Sequence, residues 1–150
     1  MKIARHLKSE LESYGITVYL TRDENSNPTI QERVLYAKEM GADMLVSCHV
    51  NANEKESAHG LMAMVAKVES YNPSNAQSGQ AIANSILEEL MKLGFGHNYG
   101  FYIRLDEDKD PIKYPDGSIA DYYGICRYGQ LYNIPSIIIE HGFISNHDEC

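Results

Sequence analysis

The chain has 150 residues, 43% of them hydrophobic and 23% charged, with a formal net charge of −8. This length suits one domain with a sizeable core. The acidic balance excludes a nucleic-acid binder built on a basic patch, and it excludes electrostatic docking to anionic membranes. No segment approaches the ~20 apolar residues of a bilayer span. The basic start, Met1 to Lys8, lacks the continuous apolar stretch of a secretory signal. Cys48, Cys126 and Cys150 are too dispersed for a disulfide framework or a paired-cysteine metal site. Cys48, inside an apolar run, reads as a small core residue.

Ile3, Leu7, Leu11 and Tyr14 repeat on one face, which predicts an amphipathic helix over 1–14 stopped at Gly15. Ile16–Thr21 is β-rich and reads as a strand. A loop over 22–29 feeds a second helix with Pro28 in its first turn; Ile30, Val34 and Ala37 share a face and Gly41 ends it. Asp43–Val50 is a second apolar strand, and Gly60–Ala66 a third. A long helix is predicted over 75–93, with Ile82, Ile86, Leu90 and Leu93 as its stripe and Gly94 as its stop. Residues 95–121 break the rhythm as a polar, tyrosine-bearing insert with a short strand at Phe101–Arg104. Asp106 to Asp110 reads as a solvated loop without EF-hand spacing. Tyr122–Arg127 fits strand or short helix. The run Ile137–Glu140 is a closing strand whose edge nothing downstream covers. This alternation is that of a single α/β domain with a mostly parallel twisted sheet flanked by helices.

Two strand ends carry the chemistry. Alternation places Ser47, His49 and Asn51 on one face, and Val46, Cys48 and Val50 on the other. In open α/β sheets the carboxyl edge is where sites form. A strand histidine is equally at home hydrogen-bonded in a core; the flanking Ser and Asn favour a site. Glu140 shares its face with Ile138, so a carboxylate emerges from apolar surroundings that would raise its pKa for acid–base work. The structural alternative is a Glu paired with Arg22, Arg104 or Arg127. His141 points to the opposite face. His59 and His97 are expected in solvent, and His6 on the polar side of the first helix.

Thr21-Arg22-Asp23, Gln31-Glu32-Arg33, Gly41-Ala42-Asp43, Ser47-Cys48-His49-Val50-Asn51-Ala52, Gly60 and Ile139-Glu140-His141-Gly142-Phe143-Ile144-Ser145-Asn146 occur in that order. This pattern resembles the zinc-dependent N-acetylmuramoyl-L-alanine amidases of the amidase-3 type, with residues 95–121 outside it. The resemblance implies a bacterial cell-wall hydrolase, extracellular, in the wall or in the periplasm, whose partner is peptidoglycan and whose cofactor is zinc. It implies cleavage of the amide between N-acetylmuramic acid and L-alanine. His49 resembles the family's second histidine ligand and Glu140 its catalytic glutamate; Asn51 is a candidate substrate donor. The family's other ligands, a His in a His-Gly-Gly turn and a Glu, have no match at His6, Glu10 or Glu12. Aligning Gly15 with the family's helix stop places that Glu about one helical turn before Met1. The expectation is therefore a catalytic domain whose first strand and last helix fall outside the chain. Tyr99, Tyr102, Tyr114, Tyr122 and Tyr123 either wall a substrate groove or pack the insert. The competing functions are a non-catalytic peptidoglycan-binding domain and another zinc amidohydrolase or peptidase.

Overall fold

The computed structural model describes residues 2–149. The helices are α1 (Lys2–Ser13), α2 (Ile30–Glu39), α3 (Pro73–Met91) and α4 (Gly124–Tyr132). The strands are β1 (Leu45–Asn51), β2 (Leu61–Met64), β3 (Asn98–Tyr102) and β4 (Ser136–Phe143), followed by a 3-10 turn at His147–Glu149. The sheet order is β1-β4-β2-β3. The β1–β4 and β2–β3 ladders are parallel and β2–β4 is antiparallel, so the sheet is mostly parallel as expected.

β4 is the centre of the sheet. Its β-branched run packs on both faces, which is why those positions carry Ile and not an apolar–polar alternation. Ile137 and Ile139 are fully buried with Ala63, Ala83 and Leu87, on the side covered by α3. Ile138 joins Val34, Ala37, Leu45 and Ile125 on the side covered by α2 and α4. The helices start where local chemistry dictates. Thr29 caps α2 by accepting from Glu32 N, and the Glu32 carboxylate accepts from Thr29 N at 2.7 Å, a complete capping box. Asn72 caps α3 ahead of Pro73.

Four expectations are corrected. Ile16–Thr21 is not a strand. β propensity makes a strand only where a ladder partner runs alongside. Here the segment is tethered instead by Ile16 N to Leu11 O and by the Lys8 ammonium to Val18 O. The predicted closing strand, Ile137–Glu140, has no bare edge, because β4 is paired on both sides. The most deeply buried positions of α3 are Ala76, Gly79, Ala83 and Leu87; the predicted Ile82, Ile86 and Leu90 pack half-buried against the same core beside them, whereas Leu93 is exposed. Small residues let the helix approach closely: a Cβ on Gly79 would lie 3.4 Å from Ile137. The short strand of the 95–121 segment is β3, at 98–102 and not 101–104, because it pairs with β2.

The rest of that segment is a loop with its own polar core. Asp106, expected in solvent, is buried and accepts from Ile112 N at 3.1 Å. Asp121 is buried too, accepting from the Tyr114 hydroxyl at 2.6 Å and from Lys67 N at 3.0 Å. Tyr114 is thus a packing residue.

Candidate active site

The parallel register sets His49 of β1 directly beside Glu140 of β4, and the antiparallel register sets Met62 of β2 on Glu140's other side. Partners in register point to the same face. His49 and Glu140 therefore share the α2/α4 face at the carboxyl end of their strands, as alternation required. His49 Nδ1 stands 3.9 Å from Glu140 Oε1, too long for a hydrogen bond. The two side chains differ in burial: that of His49 is 53% exposed, that of Glu140 only 9%.

Glu140 Oε2 is buried with no hydrogen-bond partner. Burial among apolar neighbours pushes the carboxyl above its ordinary range. The Arg-paired alternative fails. Arg33 donates to Pro28 O and Asn27 Oδ1, Arg127 to the carbonyls of Asp121 and Tyr122, and Arg104 lies 3.6 Å over the Tyr122 ring. Arg22 has no hydrogen bond or ion pair among the described residues. A buried carboxylate without a cation or a donor is costly to maintain, and such groups cluster at functional sites.

His49 Nε2 is 3.0 Å from Ser47 Oγ, which orients the ring. Partial burial lowers the imidazole's pKa, reinforced by the charges of Arg22, Arg33 and His141. The ring is therefore held towards its neutral, donor-capable form. His141 occupies the opposite face of β4 and its Nδ1–H donates to His49 O at 3.0 Å, tying the two strand ends together. Asn51 follows a register shift after His49, and its side-chain oxygen accepts from Ala52 N at 2.8 Å. That oxygen shapes the turn after β1.

Just past Glu140 the backbone turns at Gly142, whose φ of +93° favours glycine. A Cβ there would also lie 3.1 Å from Glu149. The Glu149 carboxylate accepts from Phe143 N at 2.9 Å and from Gly60 N at 2.8 Å. Asn146 Nδ2 donates to Ala58 O, and Asn53 N to Ser145 Oγ. The loop after β1 and the segment after β4 are thus clamped around the strand ends. Nothing in residue spacing announced Glu149 as a clamp, since its partners are 89 and 6 positions away.

α2 precedes β1 and α4 precedes β4 through short turns, so both helices start at the edge that carries His49 and Glu140. Between those starts lies a cleft of about 590 Å³ lined by Ile30, Gln31, Tyr122, Tyr123, Arg127 and Tyr128. Tyr122 and Tyr123 meet edge to face with centroids 5.3 Å apart, which fixes that wall. Of the tyrosines named from sequence, these two line the cleft.

Among the described residues no group of three or more His, Cys, Asp or Glu side chains is placed to hold a metal. A catalytic zinc takes three protein donors and a water. His49 offers one of these donors, so the described residues do not by themselves make a zinc site.

The fold and this edge define an α/β domain whose functional groups gather at the carboxyl end of a mostly parallel sheet. The chain belongs to the N-acetylmuramoyl-L-alanine amidase family of the Amidase_3 type, whose sequence profile matches residues 1–150. It is 26% identical over 147 residues to the N-acetylmuramoyl-L-alanine amidase LytC of Bacillus subtilis (strain 168), covering 97% of this chain and 24% of LytC. It is 25% identical over 167 residues to the amidase AmiC of Escherichia coli O6:H1, covering 99% of this chain and 40% of AmiC. The chain thus spans less than half the length of these curated relatives. Among solved structures it resembles Cwp6 from Clostridium difficile, with a TM-score of 0.69 at 25% identity over 95% of this chain and 19% of that one.

Proposed function

We propose that this domain hydrolyses the amide between N-acetylmuramic acid and L-alanine in peptidoglycan, with Glu140 as its acid–base group. The observation that carries the reading is the buried, partnerless Glu140 oxygen set in register with an exposed, near-neutral His49. The family membership supplies the bond. Glu140 takes a proton from the attacking water and returns it to the leaving amine, so water and amide become acid and free amine. Burial supports this role, because desolvation raises the carboxyl's pKa and so makes its carboxylate a stronger base towards the attacking water.

Zinc is the metal the family resemblance implies, and His49 is its candidate imidazole donor, held by Ser47 Oγ. Asn51 is left as a turn-former at the site's margin with its amide as the candidate donor to substrate. The site of action is the cell wall; no helix among the described residues is long and apolar enough to cross a membrane. The experiment is digestion of purified peptidoglycan, reading the appearance of a new L-alanine amino terminus. The expected result is release by the native protein and its loss in Glu140→Gln. Binding of the wall without any new terminus would favour a non-catalytic binding domain, and a terminus other than L-alanine another peptidase.

A further inference from the structure

The acid–base chemistry at Glu140 does not use the cleft between the starts of α2 and α4. It encloses about 590 Å³, a size that suits a small ligand or one unit of a longer one. Ile30 and Gln31 line it from α2, and Tyr122, Tyr123, Arg127 and Tyr128 from the α4 side. The helix starts are in contact, since a Cβ on Gly124 would lie 3.2 Å from Ile30. Towards the sheet, Tyr123 and Met62 pack on one core cluster, and Met62 is in register with Glu140. The cleft therefore opens beside the strand end that carries the acid–base group.

Its walls are aromatic and fixed. The Arg104 guanidinium lies 3.6 Å over the Tyr122 ring, and Tyr123 meets that ring edge to face at 5.3 Å. Tyr128 is stacked on Tyr132 with 9° between the ring planes, and the Tyr132 hydroxyl accepts from Gln31 Nε2 at 2.6 Å. Rings held in this way lose little freedom when a ligand lies on them. Tyr122 nonetheless remains 37% exposed. The hydroxyls of Tyr122, Tyr123 and Tyr128 make no hydrogen bond among the described residues, and the Gln31 side-chain oxygen is free as well.

Charge selects the occupant. Among the described residues no carboxylate lines the cleft. Its one cation, Arg127, lies within the field of the buried Asp121 carboxylate and donates to the carbonyls of Asp121 and Tyr122. The cleft is thus close to neutral in a chain of net charge −8. A cation finds no counterion there, and an anion is opposed by the acidic remainder of the surface. What fits is an uncharged ligand with an apolar face and a polar rim. A pyranose ring is of this kind: its C–H groups lie against the electron-rich face of an aromatic ring while its hydroxyls bond at the edge.

Resting on the amidase reading above, we propose that Gln31, Tyr122, Tyr123 and Tyr128 form a glycan subsite, which seats an uncharged N-acetylhexosamine unit of the peptidoglycan strand. These residues hold and select the substrate; the bond is cut at Glu140.

The test is an NMR titration of the isotope-labelled native protein with a soluble N-acetylglucosamine tetramer, which carries neither charge nor peptide. Saturable shifts should appear at the backbone amides of Ile30, Gln31 and Gly124, and the affinity should be indifferent to salt. Tyr122→Ala should weaken binding about tenfold, the scale of a lost aromatic contact. Tyr122→Phe keeps the ring and should stay within about threefold of native. Equal losses in the two variants would overturn the stacking subsite. Should Tyr122→Ala fold poorly, the native shift map decides alone: no shift at the cleft amides with millimolar tetramer would overturn the proposal. Shifts there with a soluble stem peptide and none with the tetramer would overturn it in favour of a peptide groove. Cleavage of peptidoglycan is scored separately. Tetramer binding without a new L-alanine terminus keeps the subsite and removes the hydrolase reading; a new terminus from a protein blind to the tetramer does the opposite.

Discussion

Glu140 and Asp121 are both buried carboxylates raised in pKa first by desolvation, yet their surroundings are opposite. Asp121 is met by the Tyr114 hydroxyl and by Lys67 N, and joins the 95–121 loop to the end of β2. Glu140 keeps one oxygen with no partner and faces an exposed imidazole across a strand boundary. Burial alone therefore does not mark a functional acid. What separates them is satisfaction: the carboxylate whose bonds are complete stabilises a loop, and the one left open is available to chemistry.

The largest expected effect breaks this contrast at its functional end. Glu140→Gln should lower amide hydrolysis by about 10²–10⁴-fold, the usual worth of a positioned acid–base group. Thermal stability should hold or rise, because the change removes a buried ionisable group without removing a hydrogen bond. A variant that unfolds while its residual activity per folded molecule is unchanged would make Glu140 structural.

Asp121→Ala should do the converse. It orphans the Tyr114 hydroxyl and Lys67 N, at a cost of about 1–3 kcal/mol for each buried donor left unpaired. Denaturant unfolding reads that loss, and hydrolysis per folded molecule should be near native. A selective collapse of turnover would mean that the 95–121 loop reaches the reaction.

pH sharpens the contrast further. Asp121 titrates above its ordinary value of 3.8 when folded, so the native state binds more protons than the unfolded chain in the window above 3.8. Its contribution to stability is therefore fully present in acid and lost as pH rises through the folded value. Tyr114 behaves alike at the alkaline end, where burial and Asp121 hold its hydroxyl protonated above its ordinary 10.0. Tyr114→Phe should flatten the alkaline fall in stability, and Asp121→Asn the acidic limb, each followed by urea unfolding across pH. A limb unchanged in its variant would show that other groups control it.

Much of this was legible before any coordinates. Strand period alone put Glu140 with Ile138 and away from His141, and put His49 with Ser47, because a period of two leaves no freedom. Which strands lie side by side is not written in any one segment, and so the His49–Glu140 register, the central place of β4 and the Glu149 clamp emerged only with the fold. Ile16–Thr21 misled because β propensity describes a surface that wants pairing, and pairing is a property of two segments. Asp106 misled for the opposite reason: a carboxylate in a Gly- and Pro-bearing loop reads as solvated until its donor, contributed by Ile112, is in place.

The smallest effect is expected at Asn51, which by alternation shares the face of His49 yet spends its side-chain oxygen on Ala52 N. Local bonds of this kind hold turns and are worth about 1 kcal/mol or less. Asn51→Ala should therefore soften the turn after β1 slightly and change hydrolysis less than tenfold. Its amide nitrogen still leaves a donor for substrate, so a hundredfold fall in kcat with an unchanged melt would place Asn51 with Glu140 among the groups that act on the bond. Asn51→Asp separates the two cases. It keeps the acceptor for Ala52 N and removes the amide donor, so a turn-former tolerates it and a donor to substrate does not.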